Sequence, residues 1–442
     1  MFGRPELKNT DRRNVVEDQR FELPPYKGPD PPTQISSNQI WVQDPEFDPH
    51  RDFEIVSVTS LSHLSDYPVP RMIPAHDRNF ICPQMEKRRF LPCHPNYQAD
   101  HRIVGINQPC GFYQYVARFK DAYVDLTHPG ISWEGAVFNA THAFRLNYAT
   151  AKPNGASKPV KKFDKLISIV QVYQYANSHF MIEVLPHFLY LLEVLPKDIP
   201  VLFSNSSIVW QMCRHLSTLG LLDLSRMVLV DPKVHPFANE LYFAQTYPGG
   251  CLSDSQKWSG TELAGRTKRL LAPDLPFKER DLVILVSRQG HSRAFSNWDA
   301  LNAGLSCSSC LPDGYKLLIY DAKNYKTFGE IIDVFRRAVV VIGAHGAGLS
   351  NLLFTAGCTT VMELMYNDGS ALQTPTAFYA HAIARGLDYW LMLVPGSYSG
   401  ASKPPVVEVV GIVQQTIREK KEAVEKNQDM DTYCAAHRAP DW

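Results

Sequence analysis

The sequence runs to 442 residues, 45% hydrophobic and 20% charged, with Lys plus Arg equal to Asp plus Glu at 45 each. That length exceeds one ordinary core and suits two domains of roughly 150 to 200 residues with tails, and the balance is that of a soluble globular chain. No net field exists to hold nucleic acid or an anionic membrane, so any anion site must be local.

Residues 1–40, with six prolines in the first 32 positions and few large apolar groups, read as a disordered Pro-rich arm. Met1 to Arg20 is polar and charged and carries no targeting signal or anchor pattern, and no run reaches the roughly 18 apolar residues that a membrane span needs. A cytosolic chain, or one whose anchor is missing from this sequence, fits that pattern. From Trp41 to about Tyr148, short strand-like runs such as Phe53 to Val58 and Ala122 to Asp125 alternate with prolines and turns. Ala149 to Lys165, rich in Lys, Gly and Pro, reads as a loop that opens a first α/β unit. The strand Leu166 to Tyr173 follows, then a helix over about 179–194, strand Val201 to Ser204, a helix over about 208–219, and strands Met227 to Val230 and Glu240 to Gln245.

A polar loop around Gly249-Gly250, a helix ending near Leu271, and Pro273 and Pro276 mark a hinge. Beyond it the alternation repeats, with strands Leu282 to Val286, Tyr315 to Tyr320, Val339 to Ile342, Val361 to Met365 and Tyr389 to Val394. Helices are predicted at 328–337, 349–355 and 375–385. Val406 to Glu425 closes as an amphipathic helix whose Arg418-Glu-Lys-Lys-Glu run reads as a solvated face. The predicted fold class is α/β, two doubly wound Rossmann-like halves facing a cleft. The expected divisions are 41–272 as the N-terminal domain, 273–404 as the C-terminal domain, and 405–442 as helix and tail.

Nine cysteines are widely spread, and only Cys307 and Cys310 form a C-x-x-C. Without a second pair or nearby His it is no zinc site, and it reads as a local disulfide or two free thiols. Asn139-Ala-Thr141 and Asn205-Ser-Ser207 are glycosylation sequons that lean toward the secretory pathway.

Val339 to Asn351 reads as strand, glycine turn and helix, with glycines at 343, 346 and 348. A helix start after a buried strand presents N–H groups and a positive dipole end to an anion. The other nucleotide fingerprints fail on spacing. Three residues beyond Gly348 stands Asn351, so the dinucleotide G-x-G-x-x-G is incomplete, and no Gly-Lys-Ser/Thr follows for a P-loop. Ser350 lacks the second glycine of a nucleophile elbow. Glu363, on the next strand, is placed to bind ribose hydroxyls or to pair with a neighbouring base.

Directly after the strand 282–286 come Ser287, Arg288, Arg293 and Asn297, two guanidiniums flanking a glycine turn at a strand's carboxyl edge. Arginine suits phosphate because its planar fork gives bidentate bonds and its charge is permanent. In the first half, His179, Glu183 and His187 recur every four residues after a cap at Asn177 or Ser178, placing an acid and two imidazoles on one helix face. Pro186 predicts a kink or restart just after Glu183.

Taken together, Asn177 to His187, Ser287 to Asn297 and Val340 to Leu364 resemble the family 61 glycosyltransferases, which include plant xylan-decorating and animal endoplasmic-reticulum members. The resemblance implies a GT-B fold, a UDP-sugar donor, a glycan or glycoprotein acceptor, and inverting, metal-independent transfer without a cofactor in the Golgi or endoplasmic reticulum lumen. It places Arg288, Arg293, His345 and Glu363 at the donor site and His179 with Glu183 in the first-domain motif. Ser287, Asn297, Gly346, Ala347, Gly348, Leu349 and Asn351 are read with them as nucleotide-sugar residues, and His179 is the first choice as catalytic base because imidazoles titrate near neutral pH, with Glu183 orienting it or substituting for it. Phe180 stands where that family usually has tryptophan, and His187 where it often has arginine. The D-x-D at Asp429-Met-Asp431 lies in a polar tail and reads as a chance match, so no metal is expected. Two rival readings stand beside a transferase of pentose or N-acetylglucosamine: an NAD-dependent oxidoreductase, which the missing third glycine disfavours, and an inactive GT-B-like binding protein.

Overall fold

The computed structural model describes residues 54–61, 71–73, 112–125, 130–133, 136–139, 145–147, 159–170, 177–203, 205–231, 233–247, 261–307, 310–367, 378, 381–382, 385–397, 399–430 and 432–434. The predicted arm at 1–40 lies outside them. The strands in chain order are β1 (Glu54–Leu61), β2 (Arg71–Ile73), β3 (Phe112–Asp125), β4 (Gly130–Trp133), β5 (Ala136–Asn139), β6 (Arg145–Asn147), β7 (Val160–Ser168), β8 (Val201–Phe203), β9 (Met227–Leu229), β10 (His235–Tyr247), β11 (Leu282–Val286), β12 (Lys316–Tyr320), β13 (Ala338–Ala344), β14 (Thr360–Asn367) and β15 (Asp388–Pro395). The α-helices are α1 (Leu185–Val194), α2 (Ser207–Thr218), α3 (Thr261–Leu271), α4 (Trp298–Ser306), α5 (Phe328–Arg336) and α6 (Val406–Glu425). By contact the chain divides into two compact units, Met1–Ser60 with Tyr113–Gly250, and Leu61–Phe112 with Cys251–Trp442.

The first unit holds a nine-stranded sheet of order β6-β5-β4-β3-β10-β7-β8-β9, with β1 against β3. It is mixed. β10, β7, β8 and β9 run parallel, while β3 pairs antiparallel with β10 and opens an antiparallel run through β6. Sequential hairpin strands account for the antiparallel half, which comes from the stretch read as short strand-like runs before Tyr148, while the strands read as an alternating α/β unit form the parallel half. β7 also begins inside the predicted loop, at Val160. Its exposed Lys161, Lys162 and Lys165 hide the strand from a hydrophobic scan, but main-chain pairing with β10 from Val160 to Ile167 fixes it.

Ahead of α1 the chain makes one α-turn, Asn177–His179, then a π-turn, Phe180–Val184. Pro186 falls in the first turn of α1, where its missing N–H costs no helix bond, so the helix restarts at Leu185 as the proline predicts. Phe180, Met181, Ile182 and the whole stretch from Val184 to Leu191 are buried. His187, read from the sequence as part of a polar helix face, is instead buried. A helix apolar on all sides belongs inside a core.

The second unit is an all-parallel six-stranded sheet of order β12-β11-β13-β14-β15-β2. Every residue of β11 and β13 is buried, as strands covered on both faces require. The segment expected as an α-helix at 349–355 is a 3-10 helix, Ala347–Phe354. Ser350 Oγ donates to the Ala347 carbonyl, and Asn351 Nδ2 donates to the Gly348 carbonyl at 3.2 Å. Side chains that bond three residues back favour this tighter winding. Of the helix predicted at 375–385, only Phe378, His381 and Ala382 lie among the described helical residues.

α6 matches its predicted bounds, but Lys420 in its charged run is buried. Nζ donates to the Cys358 carbonyl at 2.9 Å and to Thr360 Oγ1, and lies 3.1 Å from Asp388 Oδ2. Those groups stand at the amino ends of β14 and β15, so the lysine pins α6 beneath the sheet. Among the described residues, disulfides join Cys307 to Cys310 and Cys358 to Cys434.

Candidate functional site

From β11 the chain proceeds to β12 on one side and then to β13 on the other, so the strand order reverses between β11 and β13. In an open parallel sheet, ligands bind in the crevice outside the carboxyl ends at such a switch point. Ser287 and Arg288 directly follow β11, and His345 directly follows β13. The predicted arginines and the predicted glycine turn thus share one crevice.

Gly346 adopts φ 148°, a region that side chains rarely enter. A Cβ built on it would lie 2.2 Å from Arg288 Nη1 and 3.4 Å from Arg293 Nη1, so both guanidiniums lie over this stretch of backbone. A Cβ at Gly348 would fall 2.5 Å from Val286 Cγ1, which shows how closely the turn presses on the end of β11. Arg288 is braced by Nε donating to the Ser292 carbonyl at 3.0 Å. Arg293 holds a left-handed backbone, φ 63°, with its N–H donating to the Gly400 carbonyl at 2.7 Å. The loop after β15 continues that contact: Ser402 N–H donates to Ala294 O, and Ser296 N–H to Ser402 O, each at 2.8 Å. A strained arginine tied down by a neighbouring loop, at a ligand crevice, is strain located where function needs a fixed side chain.

Glu363 is fully buried on β14, in register with Gly343 of β13 and Leu391 of β15. Both its oxygens are engaged. Oε1 bonds His345 Nδ1, and Oε2 accepts from the hydroxyl of Tyr389, the second residue of β15. Of the two roles read for Glu363, the structure shows the pairing one, with His345 and Tyr389 taking its two oxygens. The imidazole of His345 also meets Phe378 edge-on, centroids 5.4 Å apart, and its backbone N–H donates to the Leu364 carbonyl at 3.2 Å.

Two other predicted donor residues, Leu349 and Asn351, support the turn with their side chains. Leu349 is fully buried and packs where a Cβ on Gly343 would sit. Asn351 is buried, with Nδ2 donating to the Tyr320 hydroxyl at 3.1 Å as well as to Gly348 O. Asn297 Nδ2 donates to the Pro404 carbonyl at 2.8 Å, fixing the loop from β15 to α6. Ser287, half-buried, donates its N–H to Tyr320 O at 2.8 Å. Ala347 opens the 3-10 segment beside Gly346. The side chains of His179 and Glu183 lie outside the described residues. Sequence reasoning missed Tyr389, which reaches Glu363 across the pairing of β14 with β15, and Phe378, which meets the His345 ring from outside both strands; no local spacing encodes either contact.

Asp429 of the D-x-D caps a turn, accepting from Thr432 N–H at 2.8 Å and from its hydroxyl, while Asp431 lies outside the described residues. Among the described residues no three His, Cys, Asp or Glu gather as a metal set, and no helix is long and apolar enough to cross a membrane. Residues 178–362 match the family profile described as Glycosyltransferase 61. No curated protein matches the chain.

Proposed function

From the match of residues 178–362 to the Glycosyltransferase 61 family, we propose that the chain moves a sugar from a UDP-sugar to a hydroxyl of a glycan or glycoprotein, with inversion and without a metal. The observation that carries this reading is the pair of guanidiniums, Arg288 and Arg293, over Gly346 at the strand-order reversal. Such a site suits a diphosphate: two guanidiniums packed against a glycine turn at the carboxyl ends of two strands. Held in place beforehand, they meet the charge that develops on the leaving group, the work a metal does in other transferases.

In this reading the acceptor oxygen attacks the anomeric carbon as the bond from that carbon to the β-phosphate oxygen breaks. The bonding pair stays on the phosphate and the acceptor proton passes to a base. His179 is the proposed base with Glu183 as its partner, and a GT-B arrangement assigns the acceptor to the first unit and the donor to the second. The donated sugar is a pentose or N-acetylglucosamine. Disulfides Cys307–Cys310 and Cys358–Cys434 support placement in the oxidising Golgi or endoplasmic reticulum lumen.

Thermal unfolding with UDP or NAD tests the nucleotide. UDP at about 100 times its Kd stabilises by about 2.7 kcal/mol, and stabilisation by NAD instead would restore the oxidoreductase reading. Release of UDP from UDP-xylose, UDP-arabinose and UDP-N-acetylglucosamine with glycan and protein acceptors then identifies the sugar.

A further inference from the structure

We propose that Tyr389 and Glu363 are positioning residues that select which nitrogen of His345 meets the leaving diphosphate, an assignment that rests on the donor-site reading above. Glu363 Oε1 engages Nδ1 of His345, so that edge of the ring faces the buried acid and Nε2 is the edge left for the ligand. The Tyr389 hydroxyl occupies the other oxygen and keeps the carboxylate from rotating away. Burying a carboxylate inside a parallel sheet is costly unless it is paired and hydrogen-bonded, and here both partners come from within the unit: one from the turn and one from the adjacent strand.

The imidazole is held on further sides. Phe378 contacts it edge-on, and its own backbone is tied to Leu364. Its side chain is 18% exposed while that of Glu363 is 0% exposed, so the histidine forms the surface of the pair and the acid its support. Gly346, the next residue, lies under Arg288 and Arg293. In its doubly protonated form His345 donates from Nδ1 to Glu363 and from Nε2 to a phosphate oxygen. The pair is then neutral overall, so the buried acid adds no net negative charge beneath an anion. As the glycosidic bond to phosphate breaks, the bonding pair on the departing oxygen is met by Nε2–H as well as by the arginines, with no further proton or electron needed.

A double-mutant cycle on the full chain tests this, with UDP affinity by titration calorimetry and Tm as the folding control. Tyr389→Phe, which removes one hydroxyl, is expected to weaken UDP roughly 3- to 10-fold. In a His345→Ala background the same change is expected to cost nothing further, an outcome that a purely structural tyrosine would not give. Wild-type affinity in Tyr389→Phe, or a loss that persists without the imidazole, would overturn the relay alone. Failure of the wild-type chain to bind UDP would instead fail the donor reading beneath it. If Tyr389→Phe does not fold, Glu363→Gln goes through the same cycle with the same expected and overturning results.

Discussion

The guanidinium of Arg288 occupies the space that a side chain on Gly346 would need, with Nη1 only 2.2 Å from the position of a Cβ there. The glycine therefore does two things: it supplies a φ of 148° and it leaves room for the arginine above it. Alanine at this position meets the backbone strain, about 1–3 kcal/mol, and displaces the clamp. Gly346→Ala is expected to weaken UDP at least about 10-fold, read by calorimetry. Affinity equal to wild type would mean that the clamp and the turn do not share a ligand.

Arg293 permits a separation of stability from binding. Its left-handed φ of 63° is strained for an arginine and natural for a glycine. Arg293→Gly removes the guanidinium but relieves the backbone, so UDP affinity is expected to fall about 10-fold or more while Tm stays near wild type. Arg293→Ala removes the same charge and keeps the strain, and is expected to lose both. A Tm that falls equally in the two variants would show that the φ carries no strain.

Much of the second unit was legible in the sequence because its strands are continuous apolar runs. β11 and α6 fall where pattern places them, and Arg288, Arg293 and the glycine turn meet as the strand ends imply. What stayed hidden depended on pairing between distant segments. β2 adds to β15 from more than half the chain away, through Arg71 with Trp390. β7 hides behind lysines because β10 supplies its bonds. Glu363 shows the same limit at the site: its place on a strand was readable, but the Tyr389 and His345 contacts that take its two oxygens come from neighbouring chain.

His381 gives the fold a pH dependence. Burial, and then the charge of Arg385, push its imidazole down from 6.5 to about 3, and neither ring nitrogen has a hydrogen-bond partner among the described residues. The folded value is depressed, so the full stability is present above 6.5 and is lost as pH falls toward 3, because the unfolded chain takes up a proton that the folded one refuses. The loss amounts to about 1.4 kcal/mol per pH unit across that window. Unfolding free energies from urea titrations at pH 7.5 and 5 are expected to differ by about 2 kcal/mol more in wild type than in His381→Leu. Identical pH profiles in the two proteins would remove His381 as the cause.

Lys420 is the strongest test of how the last helix is fastened. Its side chain and that of Asp388 are 5% and 7% exposed, and the ammonium also donates to Cys358 O and Thr360 Oγ1. Removing one member of a buried pair leaves the other charge uncompensated, which costs about 3–5 kcal/mol, whereas replacing both by uncharged residues costs much less. Lys420→Ala is therefore expected to lower the urea midpoint sharply, and Lys420→Met with Asp388→Asn to recover most of the loss. Thr360 and Asp388 begin their strands, at the edge opposite the donor turn. UDP affinity measured well below the unfolding transition should then match wild type in the double variant. Additive losses from the two single changes would mean that the lysine acts through its carbonyl and hydroxyl partners rather than through the acid.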